Sequence, residues 1–220
     1  MAIRIVTDSS ADIPSDLIVR HAITVLPCYV MLGDKPFKDG VDISADAFYQ
    51  HLESLPQPPS TSQPSAADFQ TVYENLIREG DQVISIHVSG KLSGTLNSAN
   101  QAKAAIGVNA PIEIVDSNLA SIPLGLAVLD AAKSAHDSED FHAVAQDVRK
   151  SLHRYHGFFV LNTLEYLQKG GRIGKARAFV GSMLSVKPML RIQDGEVHPI
   201  ARPRSSNRAR HKLLELVRDL

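Results

Sequence analysis

The stretch Val83–Ala99, VISIHVSGKLSGTLNSA, constrains the chain more than any other. It reads as a buried strand, VISIHV, that breaks at Ser89 and Gly90 and resumes after Gly94 as a helix of small and polar residues. A strand that turns through two glycines into a helix sets backbone N–H groups at the open end of a sheet, where the positive end of the helix dipole favours an anion. Four hydroxyls, on Ser89, Ser93, Thr95 and Ser98, fall in the same segment, so the expected guest is a carboxylate or a phosphate. The spacing fits neither G-x-G-x-x-G nor G-x-x-x-x-G-K-[ST]. The Gly-Lys of GGRIGKA, residues 170–176, lacks the following Ser/Thr. No ATP chemistry of the chain's own is therefore expected. A plainer reading has Ser89 and Ser93 only capping and turning the chain.

Around this unit the pattern is strand then helix. Ile3–Thr7 is a short apolar strand with Asp8, Ser9, Ser10 and Asp12 at its carboxyl end, and Pro14 opens a helix to about His21. Polar groups at the carboxyl end of a strand mark the usual ligand side of an open α/β sheet. From Thr24, TVLPCYVMLGDKPFKDGVDI reads as an inserted hairpin near residues 24–43, turning at Gly33 and Asp34. Ser44 caps a helix through Glu53. The proline-rich LPQPPSTSQPS, residues 55–65, is neither helix nor central strand. Within it Ser65 and Asp68 form a capping box for a helix from Ala66 to Glu79, which leaves Thr61 and Ser62 as a second hydroxyl cluster without a local role.

A helix from Leu96 to Ala105, a strand Ile112–Val115 followed by Asp116, Ser117 and Asn118, a small-residue helix from Leu124 to about His136 and a helix capped by Ser138 complete this part. The alternation predicts a three-layer α/β domain with a parallel sheet over residues 1–155. Residues 156–220 predict a smaller α+β domain: a strand over Phe158–Thr163, a short helix LEYLQ, a helix from Gly174 to about Leu184, a hairpin turning at Asp194-Gly195 and a final amphipathic helix from Ser206. That helix meets no C-cap, so the chain is expected to stop inside its second domain.

Charge divides the same way. Residues 1–144 carry 8 Lys/Arg against 18 Asp/Glu and residues 145–220 carry 15 against 6, so the C-terminal part is suited to an acidic partner. The basic residues have no aromatic interleaving for base stacking and no recognition-helix motif, which argues against a nucleic-acid-binding regulator. Ile3–Val6 reads as a strand rather than a signal peptide, no run of apolar residues is long enough to span a bilayer, and the single Cys28 excludes an internal disulfide. The expected location is the cytoplasm. His153 and His156 have a ligand-like spacing but no third partner, so no metal site is expected. A small-molecule enzyme using Ser93 as nucleophile is the main alternative, although no base stands at a recognisable spacing and no G-x-S-x-G elbow is present.

Several motifs occur in a recognisable order: VTDSSADIP near the N-terminus, TSQPS (Thr61–Ser65), SGKLSGT (Ser89–Thr95), VDS (Val115–Ser117), LEYLQKGGRI (Leu164–Ile173), VKPML (Val186–Leu190) and ARPR (Ala201–Arg204). Together the set resembles the DegV family. The resemblance implies a protein without catalytic residues, metal or cofactor that binds one long-chain fatty acid, such as palmitate, stearate or oleate, in a tunnel between its two domains. It implies a role in lipid transport or in presenting the acyl carboxylate to a separate kinase subunit, with transient contact to an anionic membrane. Carried onto this chain, Thr61 and Ser93 would hold the carboxylate, together with Ser62 and Gly94. Arg204, with Arg172, would contact the head group or the kinase. The apolar side chains of Leu184–Ile192 and Phe158–Leu161 would serve as tunnel lining, although core packing explains each equally well. Family members usually run further and end in a His and Gly-Pro-Gly motif whose histidine helps hold the carboxylate. That segment has no counterpart here, so either the chain is a shortened form or the carboxylate has one donor fewer.

Overall fold

The computed structural model describes residues 1–52, 55, 58–181 and 186–220. In chain order the elements are β1 (Ile3–Asp8), α1 (Ser15–Arg20), β2 (Thr24–Leu26), β3 (Tyr29–Leu32), β4 (Lys35–Lys38), α2 (Ala45–Leu52), β5 (Ser60–Ser62), α3 (Ala66–Arg78), β6 (Gln82–His87), α4 (Thr95–Ile106), β7 (Ile112–Asp116), α5 (Ile122–His136) and α6 (Phe141–Ser151). They are followed by β8 (Gly157–Val160), α7 (Glu165–Lys169), β9 (Met189–Gln193), β10 (Glu196–Ala201) and α8 (Ser206–Arg218). The chain divides into two compact units, Met1–Tyr155 and His156–Leu220.

The first unit is built on a parallel sheet of order β2-β1-β6-β7. Because side chains alternate across a strand, the central strands feed two cores. Ile5, Ile84 and Ile86 face the helices α5 and α6, where Leu124, Val128, Val144 and Val148 are buried. Val6 and Val83 face the opposite layer with Phe69 and Tyr73 of α3 and Ala99 and Ala102 of α4. Each fully buried side chain of this size contributes about 1.5–3 kcal/mol. The edge strand β7 is shielded by Arg149 of α6, which pairs with Glu113 at 2.6 Å and donates to the Ile114 carbonyl at 3.3 Å. A charged side chain laid over ladder groups discourages pairing with a further strand.

The prolines and caps decide where the expected boundaries shift. The stretch expected as one hairpin is split at Pro27, which has no N–H to continue a ladder. Thr24–Leu26 joins the parallel sheet beside β1, and only Tyr29–Lys38 forms the hairpin β3–β4. Ser60–Ser62, from the proline-rich segment, adds to β3 as an antiparallel edge strand, so this piece is not a bare linker. Helix α6 is capped by Asp140, whose side chain accepts from the Ala143 amide, and not by Ser138, which accepts from the Asp140 amide. The expected ends of α2 at Glu53 and of the helix near Leu184 lie outside the described residues.

The second unit holds an antiparallel sheet of order β10-β9-β8. Its hairpin turns at Asp194 and Gly195, with φ of 51° and 76°, the left-handed pair that a two-residue turn requires. Where a helix from Gly174 was expected, Gly174–Phe179 winds as a short 3-10 turn closed by Val180 in extended conformation. Gly174 has φ +51°, and a Cβ there would lie 2.7 Å from the Val197 carbonyl oxygen, so this glycine serves packing against β10. Among the described residues, no helix is long and apolar enough to cross a membrane.

Helix α5 lies close to the sheet because its buried face is alanine and glycine: Gly125, Ala127, Ala131 and Ala135. A Cβ on Gly125 would sit 2.4 Å from the Ala11 carbonyl oxygen. Gly125→Val should therefore lower unfolding free energy by about 1–3 kcal/mol or more, read from urea denaturation. An unchanged midpoint would show that α5 and the Ala11 turn are not in contact.

Candidate functional site

The site is assembled where the parallel strands end. Beyond β6 the chain makes a tight loop in which the amides of Leu92 and Ser93 donate to the Ser89 carbonyl at 2.9 and 3.1 Å. The loop delivers Ser93 and Gly94 to the start of α4, whose N-cap is Gly94, so no side chain caps the helix. Ser93 is half-buried, and its Oγ accepts the Thr95 amide at 3.2 Å. It also lies 2.8 Å from the hydroxyl of Thr95, which is fully buried. When the Thr95 hydroxyl donates, Ser93 has its accepting capacity filled and its own hydrogen free for an external acceptor. Not every group in the loop points outward: the Gly90 amide faces the Asp116 carboxylate at 3.3 Å, and Ser89 Oγ accepts the Lys91 amide.

The second hydroxyl cluster approaches this loop from β5. Thr61 is exposed and registers with Val30 of β3. Gln63 packs onto Gly94 so closely that a Cβ on Gly94 would lie 3.0 Å from the Gln63 carboxamide carbon. The structure thus brings the Thr61 and Ser93 segments together, two hydroxyl-bearing stretches separated by a strand and a helix. Ser62 is different: its hydroxyl donates to the Gln63 carbonyl at 3.3 Å and is turned to its own chain. The capping box expected at Ser65 is present, with the Ser65 amide donating to Asp68 at 2.9 Å and the Asp68 amide to Ser65 Oγ at 3.1 Å. Burial pushes the Asp68 carboxyl up, and the Ser65 hydrogen bonds outweigh it to hold it below the usual range.

Beneath the loop lies a buried polar chain that sequence reasoning missed. Tyr73 Oη donates to Ser85 Oγ at 2.7 Å, Ser85 Oγ lies 2.6 Å from His87 Nε2, and His87 Nδ1 lies 2.9 Å from Asp8 Oδ2. With Tyr73 as the first donor, protons point one way along the chain and the ring hydrogen sits on Nδ1. Asp8, Ser85 and His87 are all fully buried. Asp8 also accepts the Val88 amide at 3.2 Å and both the amide and hydroxyl of Ser10. Burial raises the Asp8 carboxyl, but His87, Ser10 and Val88 together hold it below the ordinary value of 3.8. Burial also pushes the Tyr73 phenol up, and burial followed by the Asp8 charge pushes the Cys28 thiol to about 11. Ser85 and His87, two residues apart in an apolar strand, were the available signal, since that spacing puts both on one face.

A cavity of about 310 Å³ adjoins Asp8 on the other side, lined by Ser9, Asp12, Ile13, Asp39 and Val41 among others. Three carboxylates on its wall, Asp8, Asp12 and Asp39, oppose an anion there. Of the expected basic contacts, both belong to the second unit. Arg172 Nη1 donates to the Gly170 carbonyl at 2.5 Å, and Arg204 is exposed in the turn between β10 and α8. Of the apolar residues expected as lining, Met189 and Leu190 are fully buried in that unit's core, while Leu184 lies outside the described residues. No group of three or more His, Cys, Asp or Glu fit to hold a metal occurs among the described residues.

The profile described as "Uncharacterised protein, DegV family" matches residues 2–220. The chain belongs to the DegV family. A DegV domain-containing protein of Clostridium perfringens is 34% identical over 221 residues, covering 99% of this chain and 78% of that protein. Protein DegV of Bacillus subtilis is 32% identical over 99% of this chain and 77% of its own length. Among solved structures, a DegV family protein from Thermus thermophilus, described by its fatty acid binding, superposes with a TM-score of 0.92 at 38% identity, covering 100% of this chain and 78% of that one. DegV from Bacillus subtilis, described as a fatty acid binding protein, gives 0.86 at 30% identity, with the same coverage. The α/β architecture read from the sequence is therefore that of the DegV fold.

In this DegV protein the depressed carboxyls report on folding. Asp8 is held low as above, and Asp81 is held low first by its hydrogen bond from Arg4 and then by that from the Ala2 amide. A carboxyl whose folded value is depressed adds stability above its unfolded value, and that stability is lost as pH falls through the folded value. Urea midpoints should hold steady down to about pH 5 and drop steeply below about pH 4. Asp8→Asn should flatten part of that drop. An equally steep drop in the variant would mean Asp8 is not linked to folding.

Proposed function

We propose that this DegV protein binds a long-chain fatty acid by its carboxylate, with Thr61 and Ser93 as donors and the Gly94 end of α4 supplying backbone amides. The observation that carries the reading is the packing of Gln63 on Gly94, which brings the segment of the exposed Thr61 to the uncapped helix start that follows Ser93. A carboxylate leaving water needs such charge-assisted bonds, because an unpaired charge is costly to bury. Burying the acyl chain returns about 0.8 kcal/mol per methylene. The fatty-acid-binding descriptions of the Thermus thermophilus and Bacillus subtilis structures support the same ligand class.

The protein acts as a carrier, in lipid transport or in handing its ligand to a separate kinase subunit. Arg204, exposed in the basic C-terminal unit, and Arg172 are the proposed contacts with the head group or that partner, with anionic membrane surface as a transient contact. Chemistry at Ser93 itself is disfavoured because its hydroxyl partners are Thr95 groups, not a base. The serine that does meet a histidine, Ser85, is sealed from solvent.

Organic extraction of the purified protein followed by mass spectrometry should recover a stoichiometric long-chain fatty acid. Thr61→Ala with Ser93→Ala should weaken retention about tenfold or more, the scale of losing charge-assisted hydrogen bonds. An empty wild type that takes up no added oleate would overturn the reading. Separately, a fluorophosphonate probe should leave both Ser85 and Ser93 unlabelled in the folded protein; stoichiometric labelling of Ser93 would restore the nucleophile reading.

A further inference from the structure

The loop that carries Ser93 is tied to the interior by an unbroken run of hydrogen bonds. His87 ends β6, and its side chain holds Asp8, whose Oδ2 also accepts the amide of Val88, the next residue. The His87 carbonyl accepts the Ser117 hydroxyl at 2.6 Å and the Ser117 amide at 3.2 Å. Ser117 Oγ in turn accepts the Leu119 amide at 3.0 Å, and the Leu119 carbonyl accepts the Ser89 amide at 2.9 Å. The Ser89 carbonyl accepts the Ser93 amide at 3.1 Å. The ring itself is locked: Phe69 packs edge-on at 5.0 Å, and Ser85, backed by Tyr73, occupies Nε2.

We propose that His87 is a positioning residue for the carboxylate site, acting through Asp8 to fix the chain at Val88 and hence the Ser89–Gly94 loop. The inference rests on the fatty-acid reading for its purpose, but not for its test. An apolar residue at position 87 would pack equally well against Phe69 and would leave Asp8 a buried carboxylate short of a donor. The His87–Asp8 hydrogen bond also directs the backbone. The Tyr73 and Ser85 hydroxyls hold the ring in one orientation, so Nδ1 meets the same carboxylate oxygen that accepts Val88.

Two substitutions separate the ends of the ring. Asn places an amide donor near the position of Nδ1 and retains the Asp8 bond, whereas Gln reaches toward the position of Nε2 and retains only the Ser85 bond. Amide hydrogen exchange at Ser93 should be about tenfold faster in His87→Gln than in wild type and within about twofold of wild type in His87→Asn. Oleate affinity should follow the same order, with His87→Gln about tenfold weaker at a melting temperature similar to that of His87→Asn. A purely structural role predicts that both variants lose exchange protection and affinity in proportion to stability, and that result would overturn the proposal. Equal protection at Ser93 in all three proteins would do the same. Should His87→Gln fail to fold, Asp8→Ala removes the carboxylate that joins His87 to Val88, and exchange at Ser93 as slow as in wild type in that variant overturns the proposal. Wild-type protein that binds no oleate yet shows the exchange order would fault the fatty-acid reading and leave the positioning role standing.

Discussion

Asp8 is a carboxylate with no solvent exposure, and the arrangement of the first unit follows from how that charge is met. Withdrawing a carboxylate from water costs several kcal/mol unless its lone pairs are filled. Here they are filled by Ser10 on its own loop and by His87 and Val88 from a strand nearly eighty residues later. The same two strands pair in parallel from Ile3↔Gln82 to Val6↔Ser85, so the His87–Asp8 hydrogen bond closes the ladder at its carboxyl end. Hydrophobic burial on either face of β1 and β6 favours the sheet but is indifferent to the paths of the loops beyond it. The directional bonds at Asp8 supply that missing information, and both loops with polar tips start from it.

Thr61 is placed by a different economy of parts. A two-stranded hairpin is marginal in water on its own, and β3–β4 gains its third strand from Ser60–Ser62. Three residues later the chain is fixed again by the Ser65–Asp68 capping box, with Tyr29 of β3 donating to Asp68 at 3.4 Å. Thr61 therefore sits between two anchors that both involve β3. Completing the small sheet and presenting the threonine are one structural event, and the prolines on either side limit the alternatives.

What was legible in the sequence was whatever repeats with a period. The parallel sheet, its covering helices, the Asp194-Gly195 hairpin and the Ser65 capping box all announce themselves through apolar spacing or turn chemistry, and all are present. The misreadings have local causes. Pro27 lies inside an otherwise extended run, which masks the switch of Thr24–Leu26 into the main sheet. Ser138 and Asp140 are both competent caps, and only geometry distinguishes them. The Tyr73–Ser85–His87–Asp8 chain was invisible for a deeper reason. A strand covered on both faces reads as a continuous apolar run, and VISIHV masks its two polar members as tolerated exceptions. Their partners come from α3 and β1, so no local pattern names them. Of the site itself, the Ser93 loop and the TSQPS cluster were each visible, while their meeting through Gln63 and Gly94 belongs to tertiary structure alone.

The same separation fits the proposed carrier role, in which the site holds a ligand rather than attacks it. Nucleophilic chemistry asks for a base in contact with an accessible hydroxyl. This fold contains both ingredients and keeps them apart. The histidine that Asp8 holds engages the buried Ser85, while Ser93 at the loop tip meets, among the described residues, the amide and hydroxyl of Thr95. A carboxylate bound at such a tip finds hydrogen-bond donors without a proton acceptor strong enough to turn the serine into an alkoxide. On the proposed reading the buried histidine serves the geometry of the loop, the division of labour that a carrier of an acyl carboxylate needs.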